Sequence, residues 1–354
     1  MNTNDPTVPN RSDEADLTPQ EIARRASTSK LVGGSFLSRF QKTDTPPKSS
    51  GPLILCVGGA NIDYKLRLEG TLDFETSNPV RSTRTPGGVI RNVAANLVNL
   101  GANVALMTLL GDDFAGESLR IQSADRMDLR PTETIAGAST GSYTAVIDEV
   151  GSLVVGFADM SITEQMDQAW IDRHEEDIRS AEWVVVDCNP ERDVITRLIE
   201  RCRIHDVKLG IVTISAPKMK HLPQNLEGVD VMITNLTESR AYFSEEASAE
   251  ELALRWLDTG LKRVVITDGS QSITLADETG RFELPVIPVP PDQVIDVTGA
   301  GDAFSSATLY GLMQDMDFAM AARFGAALAA QTIQSHDSVR QDITREQLLE
   351  EIKA

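Results

Sequence analysis

Four consecutive residues, Gly299-Ala300-Gly301-Asp302, join a backbone almost free of side chains to a carboxylate. Backbone N–H groups at such positions come close to an anion. The helix predicted by the next residues, Ala303 to Gly311, points the positive end of its dipole at the same place. A carboxylate in a cradle built for anions suits one task, taking the proton of a hydroxyl that attacks a phosphoryl group. Its plainer role is to cap the helix, which is common for aspartate. Capping leaves the two glycines and the alanine beside it without a purpose.

Other chemistry-bearing residues fall at the ends of predicted strands. Leu53 to Val57 is a continuous apolar run, the pattern of a strand buried on both faces. It leads into Gly58-Gly59-Ala60-Asn61-Ile62-Asp63. Open α/β sheets bind ligands at the carboxyl ends of their strands, which puts Asn61 and Asp63 at the mouth of a site. An ordinary Gly/Asn turn also fits these residues. Gly87-Gly88 precedes a helical pattern from Arg91 to Leu100 that ends at Gly101. Asn92, one turn from the glycines, is placed to bond a ligand hydroxyl. Asn96 reads equally well as part of a solvated polar face.

The elements that must position these residues alternate along the chain. Strands are predicted at Asn103 to Leu110, Trp183 to Asp187, Val207 to Ile214, Val231 to Ile233 and Arg263 to Thr267. Helices are predicted at Gly116 to Arg126, Ile162 to Arg179, Glu191 to His205, Glu250 to Asp258 and Phe318 to Gln334. That rhythm predicts an α/β fold, a mostly parallel sheet with helices on both faces. Ser272 to Leu284 reads as a hairpin. Two stretches, about 64–86 and 139–158, alternate polar and apolar residues and form a small separate sheet, a lid over the first site. Residues 1–51 are rich in Ser, Thr, Pro and charge. They read as a disordered extension before a domain of 52–354.

Composition narrows the function. A net charge of −20 argues against a nucleic-acid partner. No apolar run is long enough for a membrane span, and Met1 to Asp16 does not resemble a secretory signal, so a cytoplasmic location is expected. The three cysteines, Cys56, Cys188 and Cys202, show no metal-binding spacing. Neither a GxxxxGK[ST] loop nor a dinucleotide-type GxGxxG is present, which disfavours P-loop ATPases and Rossmann dehydrogenases. Open lid edges invite pairing with a second copy, so a homodimer through the lid is expected.

Two signatures, GGVIRNVAANLVNLG from Gly87 and DVTGAGDAF from Asp296, resemble those of the ribokinase-like carbohydrate kinases, the PfkB family. The likeness runs from about Leu53 to the C-terminus. It implies a three-layer α/β/α sandwich with a β-sheet lid, and ATP-dependent phosphorylation of a small-molecule hydroxyl. Asp302 would be the base, and Gly299, Ala300 and Gly301 the anion hole. Asn235 and Glu238 match the family's Asn-x-x-Glu motif near Mg²⁺ and phosphate, although the same spacing makes a helix capping box. Asn189, Thr267 and Gly269 would line the nucleotide site. Ala326 would border the adenine, or simply pack its helix. Asp296 and carbonyls near Ile333 to His336 resemble a site for a monovalent cation such as K⁺. Asn61, Asp63, Gly88 and Asn92 would hold ribose hydroxyls, and Tyr143 would touch the base. Within the family, GGANID, the SNP of Ser77 to Pro79 ahead of TPGGV, and TGSY at Thr140 are most similar to the pseudouridine kinases, which implies phosphorylation of a nucleoside 5′-hydroxyl. The alternatives are a kinase of another nucleoside or free sugar, and a non-catalytic nucleoside-binding paralogue. Ile90 stands where that branch has glycine, which raises the question of a narrowed sugar pocket.

Overall fold

The computed structural model describes residues 51–352; residues 1–50 of the predicted extension lie outside the described residues. The first part of the chain forms β1 (Leu53–Val57), β2 (Asn61–Leu68), β3 (Val80–Gly87), α1 (Val89–Asn99), β4 (Asn103–Met107), β5 (Leu109–Gly111), α2 (Phe114–Ala124), β6 (Glu133–Ile135), β7 (Gly141–Ile147) and β8 (Leu153–Asp159). The middle forms α3 (Gln168–Arg173), α4 (Glu175–Ser180), β9 (Trp183–Asp187), α5 (Arg192–His205), β10 (Lys208–Val212), β11 (Val231–Asn235), α6 (Leu236–Phe243), α7 (Ala249–Leu257) and β12 (Arg263–Thr267). The last part forms β13 (Ile273–Asp277), β14 (Gly280–Leu284), α8 (Ala300–Met313), α9 (Phe318–Thr332) and α10 (Arg345–Glu351).

Eight strands make the main sheet in the order β14-β13-β12-β11-β10-β9-β1-β4. Pairing is parallel from β12 to β4 and antiparallel at the β13–β14 edge. The central strands are apolar throughout because both faces are covered. On β1, Leu55 and Val57 join one core with α3, α4, α5 and α7. Ile54 and Cys56 join the other, with α1, α8, α9 and α10. The three layers expected of an α/β/α sandwich are thus present. Gly311 and Gly325 let α8 and α9 pack closely. A Cβ at Gly311 would lie 2.9 Å from Ala321 Cα, and one at Gly325 would overlap Thr308 Oγ1.

The lid is a separate four-stranded sheet, β3-β2-β7-β8. Asp113 ties it to the core. Its carboxylate caps α2 through Gly116 N–H at 2.8 Å and accepts from Thr140 N–H at 2.9 Å and Thr140 Oγ1 at 2.6 Å, just before β7.

Two predicted elements are broken. Asn103 to Leu110 is two strands, because buried Thr108 turns its carbonyl to Glu133 N–H at 3.0 Å and sends β5 to pair with β6. Ile162 to Arg179 is a 3₁₀ turn, Ser161–Gln165, followed by α3 and α4. Asp167 starts α3 by accepting from Trp170 N–H at 2.7 Å, and His174 separates the two helices.

Candidate active site

The carboxyl ends of β1 and β9, the first turn of α1 and the first turn of α8 meet at one place. Asp302 is the third residue of α8, not its cap; the cap position belongs to Gly299 at φ 84°. A Cβ at Gly299 would overlap the Ser338 carbonyl, whereas one at Gly301 would meet nothing within 4 Å. The predicted anion loop is therefore anchored on one side and open on the other. Asp302 Oδ2 accepts from Asn92 Nδ2 at 2.8 Å, which joins the two signature motifs in a single contact. Burial, with the negative charges of Asp187 and Asp63 adding to it, pushes the Asp302 carboxyl up to about 7 against the pull of Asn92.

Asn61 Nδ2 donates to Asp63 Oδ1 at 2.5 Å, and burial raises the Asp63 pKa although Asn61, Arg91 and Lys65 oppose it. Gly88, at φ 96°, sits against the Gly59 carbonyl, where a side chain would overlap. Ile90 contributes only its N–H here; its side chain has 0% exposure and belongs to the core beneath α1. The extra bulk at position 90 thus lies away from the acceptor side. Asn96 is buried rather than on a solvated face, at 1% exposure. Tyr143 is paired with Asp63 across the lid, and strand partners share a face. Its ring lies over Gly156, where a Cβ would come 2.6 Å from the phenol oxygen.

Asp187 was not anticipated. It is fully buried at the end of β9 and accepts from Gly59 N–H at 3.1 Å, Ile90 N–H at 3.4 Å, Asn189 N–H at 2.9 Å and Asn189 Nδ2 at 2.9 Å. One carboxylate thus gathers three loops. Burial, opposed by these four hydrogen bonds, raises its pKa to about 6. Gly58 makes room for it, since a Cβ there would overlap Asp187. Asn189, expected to line the nucleotide site, stands beside Gly59 and Asp187 at the end of β9.

Asn235, Glu238, Thr267 and Gly269 line a cavity of about 400 Å³ at the ends of β10, β11 and β12, with Ser215 and Asp268. The capping box is formed: Asn235 Oδ1 accepts from Glu238 N–H at 2.9 Å and Glu238 Oε2 from Asn235 N–H at 3.2 Å. Thr213 and Thr234 also donate to Oε2, so every Glu238 side-chain bond among the described residues falls on one oxygen. The other carries none of these bonds, and a hydrated Mg²⁺ would suit a single carboxylate oxygen of this kind. Ala326 packs in the α8–α9 core at 6% exposure, in keeping with helix packing. Asp296 does not stand free for a cation: Lys65 Nζ lies 2.6 Å from its Oδ2. A slightly larger depression, about 420 Å³, lies against α5 between Gln168 and Glu200, among charged side chains. It is remote in sequence from both motifs and offers no comparable chemistry.

A parallel sheet with a lid, an open anion loop and a carboxylate at its rim define a small-molecule kinase. Residues 52–344 match the pfkB family of carbohydrate kinases, and the chain belongs to that family. Pseudouridine kinase of Escherichia coli (strain K12) is 28% identical over 287 residues, 79% of this chain and 90% of the relative. Cytidine kinase of Thermococcus kodakarensis is 26% identical over 72% of this chain and 89% of its own length. A solved carbohydrate kinase from Agrobacterium tumefaciens superposes with a TM-score of 0.73 at 28% identity, covering 85% of this chain and 96% of its own.

Proposed function

We propose that this protein phosphorylates the 5′-hydroxyl of pseudouridine with ATP. The 2.8 Å hydrogen bond from Asn92 to Asp302 supports the catalytic part of the reading, because it joins the two signature motifs in one contact. Asn61, Asp63, Gly88 and Asn92 hold the ribose, and the short carboxylate of Asp63 accepts from vicinal hydroxyls. Tyr143 meets the base from the lid. Asp302 takes the hydroxyl proton as the oxygen attacks the γ-phosphorus; the bond to the ADP oxygen breaks, and ADP leaves. The N–H groups of Gly299 and Gly301 face the charge that develops on the phosphoryl oxygens, while the Ala300 N–H donates to the Val297 carbonyl at 3.2 Å and holds the loop's turn. Asn235, Thr267 and Gly269 receive the nucleotide, with Glu238 toward its Mg²⁺, which neutralises phosphate charge when bound.

The substrate rests on GGANID, SNP before TPGGV, and TGSY, and on the similarity to pseudouridine kinase. Asn78 of the SNP stretch organises the β2–β3 turn, bonding Asp73 N–H at 2.8 Å and the Asp73 carbonyl at 2.7 Å, and is a lid feature rather than a ligand contact. The similarity to a cytidine kinase supports a second reading, phosphorylation of another nucleoside. The deciding assay supplies ATP and Mg²⁺ with pseudouridine, uridine, cytidine, adenosine, ribose and fructose in turn, and reads the phosphorylated product directly. Highest kcat/KM on pseudouridine is expected; preference for another acceptor overturns the substrate, and no transfer to any of them overturns the kinase reading.

A further inference from the structure

Lys65 and Asp296 are 231 residues apart in the chain, yet their ammonium and carboxylate meet at 2.6 Å. Lys65 lies on the lid strand β2; Asp296 opens the stretch that becomes the anion loop. Strand side chains alternate, so Asn61, Asp63 and Lys65 share one face of β2. The strand that offers Asp63 to the acceptor therefore brings a positive charge to the phosphoryl side.

The second Asp296 oxygen and the Ile333 carbonyl, two further donors of the resemblance's monovalent-cation site, are engaged as well. Asp296 Oδ1 accepts from Thr298 N–H at 2.9 Å. The Ile333 carbonyl accepts from Ile295 N–H at 2.8 Å and Asp296 N–H at 3.3 Å. Burial alone would raise the Asp296 pKa, but the bonds from Lys65 and Thr298 hold it below the ordinary carboxylate range. Its side chain is 19% exposed, so an unneutralised charge there would be poorly screened beside a loop that must receive a phosphoryl group. A lysine ammonium is a compact unit charge with three donors and answers that need without a bound ion.

We propose that Lys65 is the anion loop's own monovalent cation, filling at Asp296 the place of an added ion and tying the lid to the loop, so that phosphoryl transfer proceeds without K⁺. The inference rests on the kinase reading above. A binding readout keeps the two distinguishable, since it needs no turnover.

The experiment compares wild type, Lys65→Met and Lys65→Arg in KCl and in tetramethylammonium chloride at equal ionic strength. Thermal unfolding without substrate is one readout and kcat/KM the other. Wild type and Lys65→Arg should show no K⁺-specific rise in midpoint. Lys65→Met should lose at least tenfold in kcat/KM in tetramethylammonium and gain a K⁺-dependent rise in midpoint of several degrees. A wild type that K⁺ stabilises or stimulates severalfold overturns the proposal, and so does a Lys65→Met enzyme at wild-type rate in tetramethylammonium. Should wild type transfer phosphate to no acceptor, the kinase reading falls, and the unfolding arm still decides whether Lys65 occupies the cation's place.

Discussion

Asp302 stands where burial and two neighbouring carboxylates oppose its charge, and its pKa of about 7 follows from that. A base must be unprotonated to act, so protonation below about 7 removes activity from the free enzyme. The kcat/KM profile should therefore fall on the acid side with a midpoint near 7. Asp187→Asn removes one repelling charge and should move that limb to lower pH, while raising the acceptor KM through weakened loop contacts. An unmoved limb would remove Asp187 from the account of Asp302. Asp302→Asn should lower kcat by two orders of magnitude or more while nucleoside binding, read by calorimetry, persists. The stability sign is opposite to that of a salt-bridged aspartate. A folded pKa above the unfolded value means the charged form is penalised, fully above about 7 and progressively less as the pH falls through it. Asp302→Asn should thus melt higher than wild type at pH 8, with the gap narrowing on acidification.

At the scale of elements, α1 shows how one helix serves core and site together. Its N-terminus gives Gly88, Asn92 and the Ile90 N–H to the acceptor side, while the Ile90, Val93, Ala94 and Leu97 side chains enter the core. Ile90→Gly should therefore act on stability rather than on the pocket. Loss of a buried isoleucine costs about 2–5 kcal/mol, and glycine in a helix about 1 more. A large fall in denaturation midpoint with KM within about twofold is expected; a widened acceptor range at unchanged stability would contradict the packing. Features confined to one stretch were legible in the sequence: β1, the Gly87–Asn92 turn, the anion loop and the capping box each announce themselves within a few residues. Asp187 did not, because a single aspartate after an apolar strand carries no pattern, and its importance comes from Gly59 and Ile90, 128 and 97 residues away. The pairing of Lys65 with Asp296 was hidden for the same reason. The contact of Asn189 with Asp187 and Gly59 was not legible because its strand end was recognised but the sheet order, with β9 beside β1, was not. The break at Asp167 was missed because apolar spacing continues across it and only the capping bond interrupts the helix.

Across the whole molecule, the sheet sets Asn61, Asp187 and Asn189 at the ends of β1 and β9 and the cavity around Glu238 at the ends of β10 to β12, so in the proposed reaction both substrates would approach the same end of the strands. The lid's far face is covered at β2, where Ile62 and Tyr64 pack against Ala115 and Leu119 of α2, but its outer strand β8 is bare. Every residue of β8 is exposed, and on it Val155 and Phe157 project to the face opposite Tyr143 and Asp63, Phe157 at 61% exposure. An edge strand with unpaired backbone groups and apolar side chains is a template for a second strand or sheet. The surplus of acidic residues, 53 against 33 basic, disfavours casual association, so a contact between copies must come from a specific apolar patch. We infer that two copies associate through their lids. Sedimentation equilibrium at micromolar concentration should give twice the chain mass of 38.5 kDa. Val155→Asp with Phe157→Asp places charges on the outer face only and should return the mass to one chain. Because Lys65, Asp63 and Tyr143 point the other way, the double variant should keep its fold by circular dichroism, and any loss of acceptor affinity then measures how much dimer contact steadies the lid. A wild type of single-chain mass would show instead that this face is left bare in solution.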